Sequence, residues 1–374
     1  MIWPILFWVS AGALLYGYAL YPLLLALVPR RREPPCSDNS ECPSVSILLS
    51  AYNEEKHIAA RLANILAQDY PKAKLQVLVG SDGSTDATDS RVRDCADPRV
   101  CLFDFLERSG KPSVLKRLVP HATGELLAFT DANTQWQPDA LKKLVRHFAD
   151  ARVGGVCGRL LFHGKDVGTD EGPYWKLETY LKTRESALDS CLGANGAIYA
   201  IRRSAWPEIP DNTFVDDFVI GMRVREQGLR LLYDTEAVAT EELPVSVGHE
   251  MTRRIRIGAG DFQALALCWR SLLPWRGRYT WSFWSHKVLR WCGPFFMIGA
   301  LVANYFLLPR PFFLLTMILQ LLFYALAAAG VLVKRKIVLF SAPHYFAVIN
   351  LALLFGFFRY LTGTQRAAWQ RTAR

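Results

Sequence analysis

The chain has 374 residues, of which 51% are apolar and 21% charged, and a net charge of +10. That length exceeds one small domain, and that composition excludes a disordered chain. The charge does not indicate nucleic-acid binding: no recognition module accompanies it, and the basic residues gather beside apolar segments.

Residues 1–29 contain no charged side chain. At about 1.5 Å per residue such a helix exceeds the roughly 30 Å core of a bilayer. Met1-Ile2-Trp3 offers no basic start, and the run ends in Val28-Pro29-Arg30-Arg31-Arg32, which predicts a retained anchor and not a cleaved leader. Basic residues mark the cytoplasmic side, so Arg30 to Arg32 predict a cytosolic domain after them. A polar linker is expected over 30–43. The eight cysteines contain no C-x-x-C pair; Cys36 and Cys42 flank the linker, and reduced thiols are the plainer reading.

A soluble domain is expected over 44–245. Val45–Ser50, Leu75–Ser81, Val100–Asp104 and Leu126–Thr130 read as buried strands. Helices are expected over Lys56–Gln68, from about Thr85, over Pro138–Phe148 and from Asp216 to Gln227. Strands alternating with helices predict an α/β class with a mainly parallel sheet. Ligands of such sheets bind at the carboxyl ends of strands.

Four motifs fall there. Asp82 in Ser81-Asp82-Gly83-Ser84 projects from a strand end and can accept bonds from a base or ribose. Asp131 and Asn133, two apart in extended chain, point the same way and offer oxygens to a hard cation, Mg2+ or Mn2+. Lys111, after Arg108-Ser109-Gly110, can meet a phosphate as a point charge. Asp216 and Asp217 open a helix, where acids serve as dipole partners or as a general base. Each motif alone also reads as an ordinary turn or helix start.

Residues 246–287 interleave Arg253, Arg254, Arg256, Arg270, Arg276 and Arg278 with Trp269, Trp275, Trp281 and Trp284, as at a membrane headgroup level. Amphipathic interfacial helices are expected there. Over 288–361 lie three charge-free runs, Trp291–Pro309, Pro311–Val333 and Ile337–Phe358. Two are expected to span, which places Lys334-Arg335-Lys336 inside; the third spans or is re-entrant. A basic tail covers 362–374.

Taken in order, these residues resemble the membrane-bound family 2 glycosyltransferases, which include cellulose, chitin, hyaluronan and poly-N-acetylglucosamine synthases. The resemblance covers Ser44 to about Gln263 and extends more loosely to the apolar runs. It implies a GT-A type, Rossmann-like domain. Ala51-Tyr52-Asn53-Glu54 is similar to the family's first nucleotide-contacting loop, and Asp82 stands in its Asp-Asp-Gly-Ser. Lys111 matches its Gly-Lys pair near the diphosphate, and Asp131 and Asn133 match its metal motif. Asp216-Asp217 is similar to its Glu-Asp pair, whose second acid is the catalytic base. Gly193-Ala194-Asn195-Gly196-Ala197 is similar to the segment lining the acceptor site, so Gly193, Asn195 and Gly196 are implied to bind acceptor. Arg253 and Arg254 stand where the family has Gln-x-x-Arg-Trp and are implied to face the diphosphate. Two departures matter: Asn133 replaces an acid, and Glu250 and Arg254 replace the Gln and Trp of the motif tied to chain extension. The tail Trp369 to Arg374 is faintly similar to a C-terminal Trp-Gly-Thr-Arg motif.

The resemblance implies an inverting, metal-dependent transferase that moves a hexose or N-acetylhexosamine. Its donor is a nucleotide sugar, with UDP the expected carrier. Its acceptor is a growing extracellular or capsular polysaccharide, or alternatively a polyprenyl phosphate-linked or glycolipid carrier. The expected place is the inner membrane, as a multi-pass protein in contact with lipids, with the catalytic domain cytosolic. A nucleotide-binding transporter is the distant alternative.

Overall fold

A computed structural model describes residues 2–29, 42–163, 173–242, 247–332 and 337–365. Most of the expected linker (30–41), Lys334 to Lys336, and the tail from Arg366, with its Trp369 to Arg374 match, lie outside the described residues. The chain forms two units. One comprises Met1–Leu27, Ser246–Ala266 and Trp281–Gln365; the other holds Val28–Val245 and Leu267–Thr280.

The second unit is built on one eight-stranded sheet. Its strands are β1 (Val45–Ala51), β2 (Leu75–Asp82), β3 (Val100–Phe105), β4 (Leu126–Thr130), β5 (Gln135–Trp136), β6 (Val153–His163), β7 (Tyr199–Arg202) and β8 (Arg230–Glu242). They lie in the order β3-β2-β1-β4-β7-β6-β8-β5. β3, β2, β1 and β4 run parallel, as do β6 and β8; β7 is antiparallel to both its neighbours. β1, β2 and β4 are almost continuously buried because both faces are covered, the pattern of an interior parallel strand. The result is a mostly parallel, Rossmann-like sheet with helices, as the alternation of strand and helix patterns predicts.

Helix Ile58–Leu66 buries Ile58, Leu62 and Ile65 against this sheet, and Arg61 with them. Helix Lys111–Leu118 packs on β2 so closely that a Cβ at Gly80 would lie 2.4 Å from Val114 Cγ1. Two helix starts differ from the sequence reading. The helix expected from Thr85 begins at Thr88, because the Asp86 carboxylate first accepts the Thr88 amide at 3.0 Å. The helix expected from Pro138 begins at Ala140 and tightens to a 3-10 turn at Arg146–Ala149. The sequence reading left β6, β7, β8 and helix Pro173–Leu188 unassigned.

In the first unit, Ile2–Leu27, Pro311–Leu332 and Val338–Leu361 are helices long and apolar enough to cross a membrane, by length and composition. Val338–Leu361 runs unbroken through Pro343, which sits near its start. Of the run Trp291–Pro309, only Gly293–Leu307 is one continuous α-helix. Its 15 residues span about 22 Å, less than the roughly 30 Å of a bilayer core. The stretch expected to be interfacial divides: helix Val247–Leu267 belongs mainly with the apolar helices, and Leu267–Thr280 with the sheet.

Candidate active site

Two loops leave the carboxyl ends of the adjacent strands β1 and β2. Asn53 takes the left-handed conformation, φ 54°, so the chain turns sharply after Ala51 and Tyr52. Its Oδ1 accepts the Thr85 amide at 2.8 Å, its own amide donates to Ser84 Oγ at 3.2 Å, and the Glu54 amide donates to Thr88 Oγ1 at 2.7 Å. The two sequence motifs therefore form one locked rim. The Tyr52 ring lies 3.7 Å from the Arg108 guanidinium, a cation–π pair on that rim.

Asp82 ends β2 and is 4% exposed. Its Oδ1 accepts the Ser109 amide at 2.7 Å and its Oδ2 accepts the Gly110 amide at 2.9 Å. Gly110 has φ 90°, open to glycine and strained for other residues. In this state Asp82 fastens the loop that delivers Lys111, one residue further on.

Lys111 Nζ lies 2.6 Å from Asp131 Oδ1 and 3.9 Å from Asp216 Oδ2. Asp217 Oδ2 accepts the Gly196 amide at 2.6 Å, and Oδ1 accepts the Phe218 amide at 2.8 Å, so its orientation is fixed from both sides. Gly196 stands at the centre. A Cβ there would be 3.2 Å from Asp217 Oδ2, 3.3 Å from Lys111 Nζ and 3.5 Å from Asp131 Oδ2. Three charged groups from separate parts of the chain thus surround one point, and Asp216 faces Lys111 beside it.

The electrostatics follow from that crowding. Burial pushes the Asp216 carboxyl up, Lys111 opposes it, and Asp217 and Asp131 push it further, to about 6. Burial alone would depress the Lys111 ammonium; Asp131, Asp216 and Asp217 together hold it above its ordinary value. Tyr199, stacked on Phe129 at 4.5 Å, has its phenol held far above its ordinary range by burial and then by the same three acids. The Tyr199 hydroxyl and Asp216 Oδ2 are buried with no hydrogen-bond partner among the described residues.

Two expectations arise directly. Gly196→Ala brings a methyl group so close to Asp217 Oδ2 and Lys111 Nζ that both must shift, and at least a tenfold loss of turnover is expected; wild-type turnover contradicts this arrangement. The raised Asp216 value means the folded protein takes up a proton above the ordinary carboxylate range. The stability of its neutral form is therefore complete at low pH and lost as pH rises through about 6. Below that value Lys111 faces one carboxylate fewer, so the pH–rate profile should show an acid limb near 6, abolished in Asp216→Asn; a limb that survives the substitution refutes the assignment.

Of the implied acceptor residues, Asn195 is spent internally. Its Oδ1 accepts Lys182 Nζ at 2.5 Å, its Nδ2 donates to the Gly158 carbonyl at 3.0 Å and its amide meets Cys157 Sγ at 3.2 Å. It holds the segment in shape. Gly193 has φ 70°, and a Cβ there would sit 2.2 Å from the Phe218 ring. Gly193→Ala is expected to destabilise the protein by about 3 kcal/mol or more through strain and overpacking, read from denaturant midpoints; a shift under ~1 kcal/mol contradicts this.

Asn133 follows Asp131 with its Nδ2 buried and without a hydrogen-bond partner among the described residues. Among the described residues no three His, Cys, Asp or Glu side chains are grouped to hold a metal ion unaided. Arg253 and Arg254 belong to the other unit, where both pair with Glu250, at 3.0 and 2.7 Å. The sequence reading missed Tyr199, Lys182 and Arg61. For Arg61 a clue existed: a charge three residues after Ile58, on the apolar face of its helix.

The sheet order, the strand-end loops and the acids around Gly196 define a GT-A fold. Residues 46–208 match the family described as Glycosyl transferase family 2. It is 26% identical over 271 residues to an N-acetylglucosaminyltransferase of Mesorhizobium japonicum, covering 67% of this chain and 63% of that protein. It is 23% identical over 243 residues to a poly-beta-1,6-N-acetyl-D-glucosamine synthase of Staphylococcus aureus, covering 62% and 58%. The chain thus spans about six-tenths of the length of these curated relatives. A solved mannosyltransferase from Pyrobaculum calidifontis, in complex with GDP-Man and Mn2+, shares the fold with a TM-score of 0.75 at 24% identity, over 97% of this chain and 99% of that one.

Proposed function

We propose that the protein is an inverting glycosyltransferase that moves a hexose or N-acetylhexosamine from a nucleotide sugar, with UDP as carrier, to a growing polysaccharide at the inner membrane. The observation that carries this reading is the convergence of Lys111, Asp131 and Asp217 on Gly196. The relatives named for N-acetylglucosamine transfer support the sugar class. The three long apolar helices support a multi-pass protein, and Arg30 to Arg32 after the first of them support a cytosolic catalytic domain.

In this mechanism the base and ribose lie on the rim formed by Tyr52, Asn53, Glu54 and Asp82. Lys111 leaves Asp131 to meet the diphosphate. The acceptor hydroxyl attacks the anomeric carbon from the side of Asp217, which takes the proton as the nucleoside diphosphate departs. Gly196 and the Phe218 amide keep Asp217 aimed.

A divalent cation fits the residues present. Asp131 offers a carboxylate, and Asn133 offers an amide end that nothing in the described fold satisfies, the oxygen and nitrogen of an amide exchanging by a simple flip. One carboxylate with substrate phosphates is an ordinary magnesium or manganese set. When bound, Mg2+ or Mn2+ neutralises charge on the leaving diphosphate.

One observation favours a second acceptor class. Glu250 and Arg254 replace the chain-extension residues and pair with each other, which suits single transfer to a lipid-linked acceptor. A screen of radiolabelled UDP- and GDP-sugars on the full chain in detergent with Mn2+, resolved by product length, tests both. A ladder supports polymer synthesis, one species supports single transfer, and no labelled product from any donor overturns the function.

A further inference from the structure

Beneath the Asp131 turn lies a charge that the proposed mechanism does not use. Arg61 is fully buried on helix Ile58–Leu66. Its Nη2 donates to Thr130 Oγ1 at 2.7 Å, its Nη1 donates to Asn64 Oδ1, and its guanidinium lies 4.8 Å from the centre of the Trp136 ring. Asn64 in turn grips Trp136: the Trp136 amide donates to Oδ1 at 2.8 Å and Nδ2 donates to the Trp136 carbonyl at 2.9 Å. Thr130 and Trp136 are the two flanks of the segment that carries Asp131 and Asn133. Thr134, inside that segment, donates to the buried carboxylate of Glu241 at 2.8 Å.

The network continues to the other half of the site. Thr130 Oγ1, at 3.0 Å, and Trp136 Nε1, at 2.9 Å, both donate to the Ala197 carbonyl. Ala197 follows Gly196, whose amide orients Asp217. One guanidinium therefore sits at the junction of the diphosphate side and the proton-accepting side.

Stability alone gives no reason for this arrangement. A buried charge is expensive, and an apolar replacement of similar volume is often neutral or stabilising. Burial pulls the Arg61 guanidinium down to about 9, against the fields of Asp131 and Glu241, so it remains cationic at neutral pH. Its planar fork reaches Asn64 and Thr130 at once, which the single point charge of lysine cannot do.

We infer that Arg61 is a positioning residue, setting the Asp131–Trp136 segment and the Gly196–Ala197 loop in register for sugar transfer. This rests on the proposed function for its kinetic consequence but not for its structural one. Misplacing both loops disturbs the transition state more than donor binding, so the loss falls on kcat rather than KM.

The test uses the full chain in detergent with Arg61→Met and Arg61→Lys. Arg61→Met is expected to melt within a few degrees of wild type, to keep donor KM within threefold and to lose at least thirtyfold in kcat. Arg61→Lys recovers only part of that loss. Hydrogen exchange of peptides covering 130–137 and 193–198 should quicken at least fivefold in Arg61→Met, while peptides from β2 and β3 do not change. Should Arg61→Met fail to fold, Arg61→Lys carries the test, with at least a tenfold loss in kcat and faster exchange in the same two peptides. Wild-type kcat with wild-type exchange overturns the inference, as does a KM increase at constant kcat. Wild-type protein without transfer on any donor sinks the proposed function instead, and the exchange result then decides this inference alone.

Discussion

Asp217→Asn should abolish sugar transfer while leaving the donor bound. Asparagine is isosteric with aspartate, and its oxygen can still accept one of the two amides, from Gly196 or Phe218, that hold the native carboxylate. The fold around it should persist. What disappears is the ability to take a proton from the acceptor, a contribution of about 10²–10⁴-fold in general-base catalysis. The loss expected here is on the order of 10³-fold in kcat, with nucleotide affinity within about twofold of wild type. Calorimetry of nucleotide binding beside a transfer assay separates the two quantities. Parallel loss of both would mean that Asp217 holds the donor, and that the proton goes elsewhere.

Lys111→Ala should have effects of opposite sign on catalysis and on cation binding. The ammonium sits 2.6 Å from Asp131 Oδ1, against the one carboxylate of the proposed cation site. Two unit charges at about 4 Å interact by roughly 4 kcal/mol at an effective dielectric of 20, so the ammonium is a strong competitor for any cation at that carboxylate. Removing it should tighten Mn2+ binding without nucleotide at least tenfold, followed by loss of the free-ion spectrum in electron paramagnetic resonance. Transfer should fall about 100-fold, because the departing diphosphate loses its fixed positive partner. In wild type, nucleotide should strengthen Mn2+ binding by drawing Lys111 away. Unchanged or weaker Mn2+ binding in Lys111→Ala refutes the competition.

The parallel half of the sheet is legible in the sequence because each strand is a short apolar run closed by a polar turn. Ser81 to Ser84 and Thr130 to Asn133 announce themselves in this way, and both close strands at the site. The antiparallel half is less legible. β7 is four residues long, and its pairing with β4 joins positions 70 to 76 residues apart, a pairing that local periodicity does not report. The same limit applies to Asp82. Its position after a strand marks it for the cleft, while its two bonds to Ser109 and Gly110 depend on the meeting of loops that no sequence window contains. Asn195 shows the converse case. The resemblance implied that it binds acceptor, but Lys182 and Gly158 engage both ends of its amide, and Lys182 lies on a helix the sequence reading did not assign.

A structure of the full chain with a nucleoside diphosphate and Mn2+ tests the central claim most directly. The account predicts the diphosphate between Lys111 and Asp131, with the Lys111–Asp131 contact of 2.6 Å opened and the terminal phosphate, which carries the sugar in the donor, turned toward Asp217. A nucleotide bound away from Gly196, with Lys111 still paired to Asp131, would contradict it.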